Sequence, residues 1–513
     1  MKIAIRADAS VAIGSGHIRR CLALAYQARL LGADVRFVTR DLGFDTRAMV
    51  RAAGYRCELL PAPSELAAPD PAVPHAHWAG VAADVDAAQT AVTLAPWAPD
   101  WVVVDHYGFD ARWHRTARAA LGCRVAVIDD LADRALAADL VVDHNHAPDH
   151  GAKYAGRITD RTRLLGGPRF ALLGPAFAEA PRYLPREGVA SIGVFMGGID
   201  GANASMRVIE AIGASSFTGP VEIVSTAQNP NLPELQAAVA ARPGATLSLD
   251  LPDLAGFFAR HDLQVGAGGG ASWERCCIGA PTLLLVVADN QRAVVPDLAD
   301  MGVIATTQPL GAMDVPAIAA AIDALIADPT QRAAMATQAC ALVDGLGARR
   351  VALALMADSV RVRPATRGDA EIAWRWRNDP ATRAVSRDNT EIAWEAHLGW
   401  FERTLANPDR RLLIAQIGSV PIGVIRFDAL DAGRAEVSLY LDPALHGVGL
   451  GRSMLLAGEA AGAQGKDIVA EVLDGNIGSA RLFASAGYAA MDAGHWIKSA
   501  VTPMVKEDAH ENR

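Results

Sequence analysis

A chain of 513 residues is too long for one hydrophobic core and, at roughly 100 to 200 residues per domain, implies three domains. Hydrophobic residues at 51% and charged residues at 20% give a soluble, globular composition. The formal net charge of −9, with no long basic block, argues against nucleic acid as a partner; the apolar run "PTLLLVVAD" is far short of the roughly 20 residues that span a bilayer, so no membrane partner is expected.

Lys2, Arg6 and Asp8 break any apolar signal core, and six cysteines without C-x-x-C spacing suggest neither a zinc ribbon nor a redox pair, so a reducing cytoplasm is the expected compartment. From the N-terminus, short apolar runs alternate with helical patterns: "KIAIRAD", a helix from about His17, "DVRFVTR", a helix near "TRAMVRAAG", then "WVVVDH", "RVAVIDD" and "LVVDH". Strands apolar on both faces and separated by helices predict a parallel sheet covered on both sides. The Pro-rich "LPAPSELAAPDPAVPHAHW" reads as an irregular excursion. The alternation restarts with "SIGVFMGG", "VEIVST", "ATLSLDL", "LQVGAG", "PTLLLVV" and "VIATT", and helical patterns from 314 to 358 close this second unit. Near 360 the pattern changes to a strand, a Trp-rich helix and the antiparallel candidates "RLLIAQIG" and "PIGVIRFD", an α+β layout. The expected fold is therefore α/β, with two doubly wound Rossmann-like domains at 1–155 and 156–358, followed by an α+β domain at 359–505.

Two glycine loops carry the candidate chemistry. "IGSGHIRR" follows a strand and opens a helix with apolar residues Ile18, Cys21, Leu22 and Ala25 on one face. It lacks both the third glycine of a dinucleotide fingerprint and the Gly-Lys-Ser/Thr of a P-loop. Gly14 and Gly16 permit close approach of a ligand. His17 sits in the first helical turn, where the dipole favours a neutral imidazole able to take a proton. Asp8, ending the first strand, is a candidate to orient His17, Arg6 or a substrate, and Tyr107 ends "WVVVDHY", where open α/β sheets bind ligands. In "VGAGGGASWERCCIGAPTLLLVVADNQ", Gly269, Gly270 and Ser272 offer donors to a diphosphate without a metal. Glu274 is suited to accept hydrogen bonds from ribose hydroxyls, and Asn290 and Gln291 to contact a sugar. Asp143, His144 and His146 lie together in sequence, but adjacent loop residues of this kind are usually solvated, and no metal is expected.

Taken together, "IRADASVAIGSGHIRRCLALA", "VVVDHYGFD", "VFMGGIDGAN" and "GAGGGASWERCCIGAPTLLLVVADNQ" resemble the UDP-sugar hydrolases of pseudaminic acid biosynthesis, which are similar to two-domain GT-B glycosyltransferases. The resemblance implies a GT-B-like pair of domains, His17 as the catalytic base and Gly269 to Glu274 as the seat of UDP. It also implies cleavage of the anomeric C–O bond with inversion, releasing UDP and a free diacetamido-trideoxyaltrose.

"LYLDPALHGVGLGRSMLLAGEAA" and "DGNIGSARLFASAGY" resemble the GNAT N-acetyltransferases. The resemblance implies acetyl-CoA as co-substrate, with Gly449 and Gly451 at its diphosphate, Leu441 and Arg452 beside them, and Asn476 on the CoA arm. His446 replaces the usual Gln or Arg, and Phe483 replaces the tyrosine that commonly reprotonates the CoA thiolate. "WRWRNDPATRAVSRDNTEIAWEAHLGWF" resembles the UDP-4-amino-sugar N-acetyltransferases of the same pathway, which implies Arg377, Asn378 and His397 as contacts to a UDP-amino-sugar. The preferred reading is thus a bifunctional enzyme. A true glycosyltransferase using the same UDP cleft, and a nucleotide-sugar-binding protein with an inactive acetyltransferase fold, are the alternatives.

Overall fold

The computed structural model describes residues 1–64, 70–288, 291–292, 294–492 and 494–500; Asn290, expected at the sugar, lies outside them. The chain divides into two compact units, Met1–Val351 and Ala352–Arg513.

The first unit holds two parallel sheets. Strands β1 (Lys2–Ala7), β2 (Asp34–Arg40), β3 (Arg56–Leu60), β4 (Trp101–Asp105), β5 (Arg124–Ile128), β6 (Leu140–Asp143) and β7 (Arg163–Gly166) form one sheet in the order β3-β2-β1-β4-β5-β6-β7. The central strands are mostly apolar because helices cover both faces; every residue of β4 is buried. Val102, Val104 and Trp113 belong to the resulting core, where each buried aliphatic side chain contributes about 1.5–3 kcal/mol. The strand order reverses between β1 and β4, whose parallel register sets Ala7 beside Asp105. Chain leaving these two neighbouring C-terminal ends forms the crevice in which open α/β sheets bind ligands.

Strands β8 (Ile192–Phe195), β9 (Val221–Ser225), β10 (Ala245–Leu249), β11 (Leu263–Ala267) and β12 (Thr282–Leu285) form the second sheet, ordered β10-β9-β8-β11-β12, with its own reversal between β8 and β11. Both glycine loops of this half, "MGGIDG" and "GAGGGA", leave those two strands. The sequence led us to expect a strand at "VIATT", but the chain makes only a single bridge there, Leu283 to Ala305. Thr307 turns inward and is buried, and Pro309 has no N–H to extend a ladder. β7, which follows residue 155, closes the first sheet.

The second unit is a mixed sheet of β13 (Arg361–Pro364), β14 (Arg410–Ile417), β15 (Val420–Ala429), β16 (Arg434–Leu441), β17 (Asp467–Glu471), β18 (Ala489–Asp492) and β19 (His495–Lys498), ordered β13-β14-β15-β16-β17-β19-β18. β16 and β17 are parallel and pair only from Arg434–Asp467 to Glu436–Val469, although β16 runs on to Leu441. The two strands therefore splay apart, leaving a stretch of β16 backbone facing the gap.

Candidate functional site

Helix Gly16–Leu30 starts one residue after Ser15, which supplies no side-chain cap, so its first amides stay available. Gly14 has φ +75°, a conformation that suits glycine, and a Cβ on Gly14 or Gly16 would meet nothing within 4 Å. The loop thus faces open space. His17, 8% exposed, lies against the end of β4, where its Nδ1 is 2.6 Å from Asp105 Oδ1. A carboxylate at that distance accepts the Nδ1 proton and leaves Nε2 as the basic nitrogen. Asp105 is itself fixed by Arg20, whose Nε donates to Oδ2 at 2.6 Å and whose Nη2 donates to Oδ1 at 2.5 Å. Burial alone would push the Asp105 carboxyl up, but Arg20 and His17 outweigh it and hold it well below the usual carboxylate range.

Tyr107 packs edge-on to His17, ring centroids 4.8 Å apart, and its hydroxyl donates to Asp130. Trp78 approaches both rings, 6.2 Å from His17 and 5.7 Å from Tyr107, and His75 packs on Trp78 at 4.7 Å. His75 and Trp78, at the end of the Pro-rich segment, therefore form a wall of this crevice. Asp8 is elsewhere: fully buried, it accepts from Arg6, Thr39 and the amide of Arg40. Asp105, Arg20 and Asp130 carry a signal only in their place just at or after a strand end or one helical turn from His17, legible once β4 is known to neighbour β1; Trp78 carries none.

Across the first unit, β11 runs through Gly268 into helix Gly270–Ile278. Gly269 has φ +98°, and a Cβ on Gly269 or Gly270 would meet nothing within 4 Å. The first turn again has no side-chain cap, which makes it an anion-ready end. Ser272 is buried and its Oγ accepts from Arg275 Nη2 at 3.4 Å. Burial pushes the Glu274 carboxyl up to about 7 despite the neighbouring Arg275 and Arg19. Gln291 lies against Gly268, where a Cβ would come within 2.9 Å of its side chain, and its Oε1 accepts from Val287 N at 2.9 Å.

The two walls meet. Arg19 Nη1 donates to Pro252 O at 3.2 Å, and Trp273 Nε1 donates to Asn145 Oδ1 at 3.0 Å. Asn145 Nδ2 in turn donates to Asp130 Oδ2 at 2.8 Å, so hydrogen bonds run from the Ser272 helix through Asn145 and Asp130 to Tyr107. Asp143 and His144, expected to be solvated, are buried; Asp143 accepts from Lys153 Nζ at 2.7 Å. Among the described residues no group of three or more His, Cys, Asp or Glu is arranged to hold a metal ion.

In the second unit the strand splay opens beside Leu441 and leads to "HGVGLGR". Gly449 has φ +81°, buried Val448 and Leu450 pin the loop, and helix Gly451–Gly462 begins without a side-chain cap. Arg452 Nε donates to Ser485 O at 2.9 Å, and Asn476 caps helix Ile477–Ser485 by accepting from Ser479 N at 3.1 Å. Phe483 is buried with its ring 4.9 Å from that of Tyr488, whose hydroxyl donates to Glu459 at 2.8 Å. Arg377 Nη2 donates to Asp388 O at 2.7 Å. Asn378 spans the base of a loop, donating to Ile392 O at 2.8 Å and accepting from Ile392 N at 2.9 Å. His397 is buried and its Nε2 lies 3.0 Å from Ala370 O.

Residues 359–489 match the family model of the acetyltransferase (GNAT) domain. The spore coat polysaccharide biosynthesis protein SpsG of Bacillus subtilis (strain 168) is 26% identical over 148 residues, which make up 28% of this chain and 44% of that protein; the match thus spans less than half of the relative's length. Among solved structures, MurG of Acinetobacter baumannii is similar with a TM-score of 0.50 at 15% identity, over 68% of this chain and 98% of MurG. An aminoglycoside acetyltransferase in complex with coenzyme A is similar at 17% identity and a TM-score of 0.25, over 28% of this chain and 95% of its own. The fold is accordingly a MurG-like pair of Rossmann-like α/β domains of the GT-B type, followed by a GNAT acetyltransferase domain. No helix among the described residues is long and apolar enough to cross a membrane.

Proposed function

We propose that the chain is a bifunctional nucleotide-sugar enzyme of pseudaminic acid biosynthesis. The GNAT domain transfers the acetyl group of acetyl-CoA to a UDP-4-amino sugar, and the first unit hydrolyses the resulting UDP-2,4-diacetamido-2,4,6-trideoxy-β-L-altrose to UDP and free sugar. The observation that carries the reading is the His17–Asp105 pair on a glycine loop, in the same unit as an uncapped helix N-terminus suited to a diphosphate.

UDP is a good leaving group, so its departure needs charge stabilisation more than a strong acid. The free amides at Gly269 and Gly270, with Ser272, supply donors where that charge grows. Glu274 accepts from the ribose, and Gln291 holds the loop beside the sugar. On the other wall, Asp105 keeps the proton on Nδ1, and Nε2 of His17 takes one from water as its oxygen bonds to the anomeric carbon. The C1–O bond to the diphosphate breaks with inversion, and the proton on Nε2 passes to solvent. General-base assistance of this kind contributes about a hundred- to ten-thousand-fold. Tyr107 and Trp78 offer the sugar its apolar wall.

For acetyl transfer, the splayed β16 backbone takes the pantetheine arm, and the amides around Gly449 and Gly451 take the CoA diphosphate. Phe483 offers no proton, and the Tyr488 hydroxyl is committed to Glu459, so the CoA thiolate is protonated from water. The test supplies the UDP-4-amino sugar with and without acetyl-CoA and follows acetylation and UDP release separately. UDP released with water as the only acceptor supports hydrolysis; release that needs a second sugar supports a glycosyltransferase.

A further inference from the structure

Among the described residues of the first unit, five arginines are at most 2% exposed: Arg6, Arg40, Arg134, Arg275 and Arg332. Four of them have both terminal nitrogens hydrogen-bonded. Arg6 is paired with Asp8 and Asp86, Arg40 with Asp86, and Arg134 with Asp129 and Asp133. Arg332 turns both terminal nitrogens to backbone carbonyls, those of Leu325, Ile326, Arg186 and Glu187.

Arg275 differs. It is 1% exposed, and Nη2 donates to Ala267 O at 2.6 Å and to Ser272 Oγ at 3.4 Å, but Nε and Nη1 have no hydrogen-bond partner among the described residues. No carboxylate is hydrogen-bonded to it. An unpaired cation in the interior is costly, and proteins ordinarily pair it. The backbone is shaped to admit this one: a Cβ on Gly266, in the middle of buried β11, would lie 2.4 Å from Nη1 and 2.9 Å from Phe195 O. The Phe258 ring, centroid 5.7 Å from the guanidinium carbon, backs it from another side.

We propose that Arg275 is a positioning residue for a diphosphate bound at the Gly269–Ser272 loop. From beneath the loop it supplies the positive charge that the bound anion neutralises, and it aims the Ser272 hydroxyl at a phosphate oxygen. By donating to Ser272 Oγ it occupies one lone pair, so the Ser272 proton is free to point to the ligand; by donating to Ala267 O it fixes the strand end from which the loop departs. The substrate never touches Arg275. This inference rests on the UDP reading of the same loop, but it concerns the phosphates alone.

The experiment measures binding of UDP, uridine and inorganic pyrophosphate to the full chain by calorimetry, for wild type, Arg275→Met and Arg275→Lys. The expected result is at least a tenfold loss of UDP and pyrophosphate affinity in Arg275→Met, uridine affinity within twofold of wild type, and substantial recovery in Arg275→Lys. Equal losses for UDP and uridine, or no loss for either, would overturn the assignment. If wild type binds pyrophosphate but not UDP, and Arg275→Met loses that binding, the UDP reading fails while Arg275 stands. Should Arg275→Met not fold, Ser272→Ala carries the test: a loss confined to UDP and pyrophosphate is expected, and unchanged affinity for both refutes the proposal.

Discussion

His17 Nδ1 and Asp105 Oδ1 lie 2.6 Å apart although 88 residues separate them in sequence. The contact decides which imidazole nitrogen is basic, because the carboxylate holds the proton on Nδ1 and leaves the lone pair on Nε2. Asp105→Asn keeps the shape but offers an amide where an acceptor is needed, which favours the wrong tautomer. We expect UDP release to fall by about a hundred- to ten-thousand-fold in kcat with little change in KM, measured as steady-state UDP production.

That pair also marks the boundary of what a single sequence reveals. Strands β1, β4, β5 and β6 are legible because they are buried on both faces and read as mostly apolar runs. β3 and β7 are not, since both lie at sheet edges, and only Cys57 and Leu60 of "RCELL" are buried. His17 stands out because its glycines announce a helix start. Asp105 does not, because its role depends on the register of Ala7 with Asp105, a long-range fact. Asp8, a candidate to orient His17, Arg6 or a substrate, accepts from Arg6, the second of those three, and from the amide of Arg40. Trp78 was hidden in a Pro-rich segment with no periodicity.

Glu274 carries a pH signature. Burial raises its carboxyl to about 7, so the ionised form, the acceptor proposed for the ribose hydroxyls, prevails only above that value. UDP affinity should strengthen as pH rises from 6 to 8, and titration calorimetry on Glu274→Gln should show a flatter profile. The same shift acts on stability in the opposite sense: the folded state holds the proton that the unfolded chain releases near 4.5, so stability falls as pH rises through 7. Glu274→Gln should therefore be more stable than wild type at pH 8, by up to roughly 3 kcal/mol.

Three buried rings set the acid limit of the first unit. Burial, aided by nearby arginines, pushes His106 and His144 down to about 4 and His114 to about 3. The unfolded chain protonates these residues near 6.5 while the folded one does not, so stability falls as pH drops from 6.5 toward 4. The slope reaches at most roughly 4 kcal/mol per pH unit when all three differ. Thermal melts between pH 7.5 and 4.5 should show the transition temperature dropping; a flat profile would contradict neutral burial of these rings.

Asn378 closes the 379–392 loop through both backbone groups of Ile392, and Trp374 Nε1 donates to the same carbonyl at 2.7 Å. Asn378→Ala should cost about 1–3 kcal/mol in the second unit and accelerate proteolytic nicking within that loop, read by gel and mass spectrometry.

The most direct measurement gives His17→Ala the UDP-4-amino sugar with acetyl-CoA and records both products. The account predicts acetylation at the wild-type rate and UDP release at least about a hundredfold slower. UDP release at the wild-type rate in that variant would contradict it.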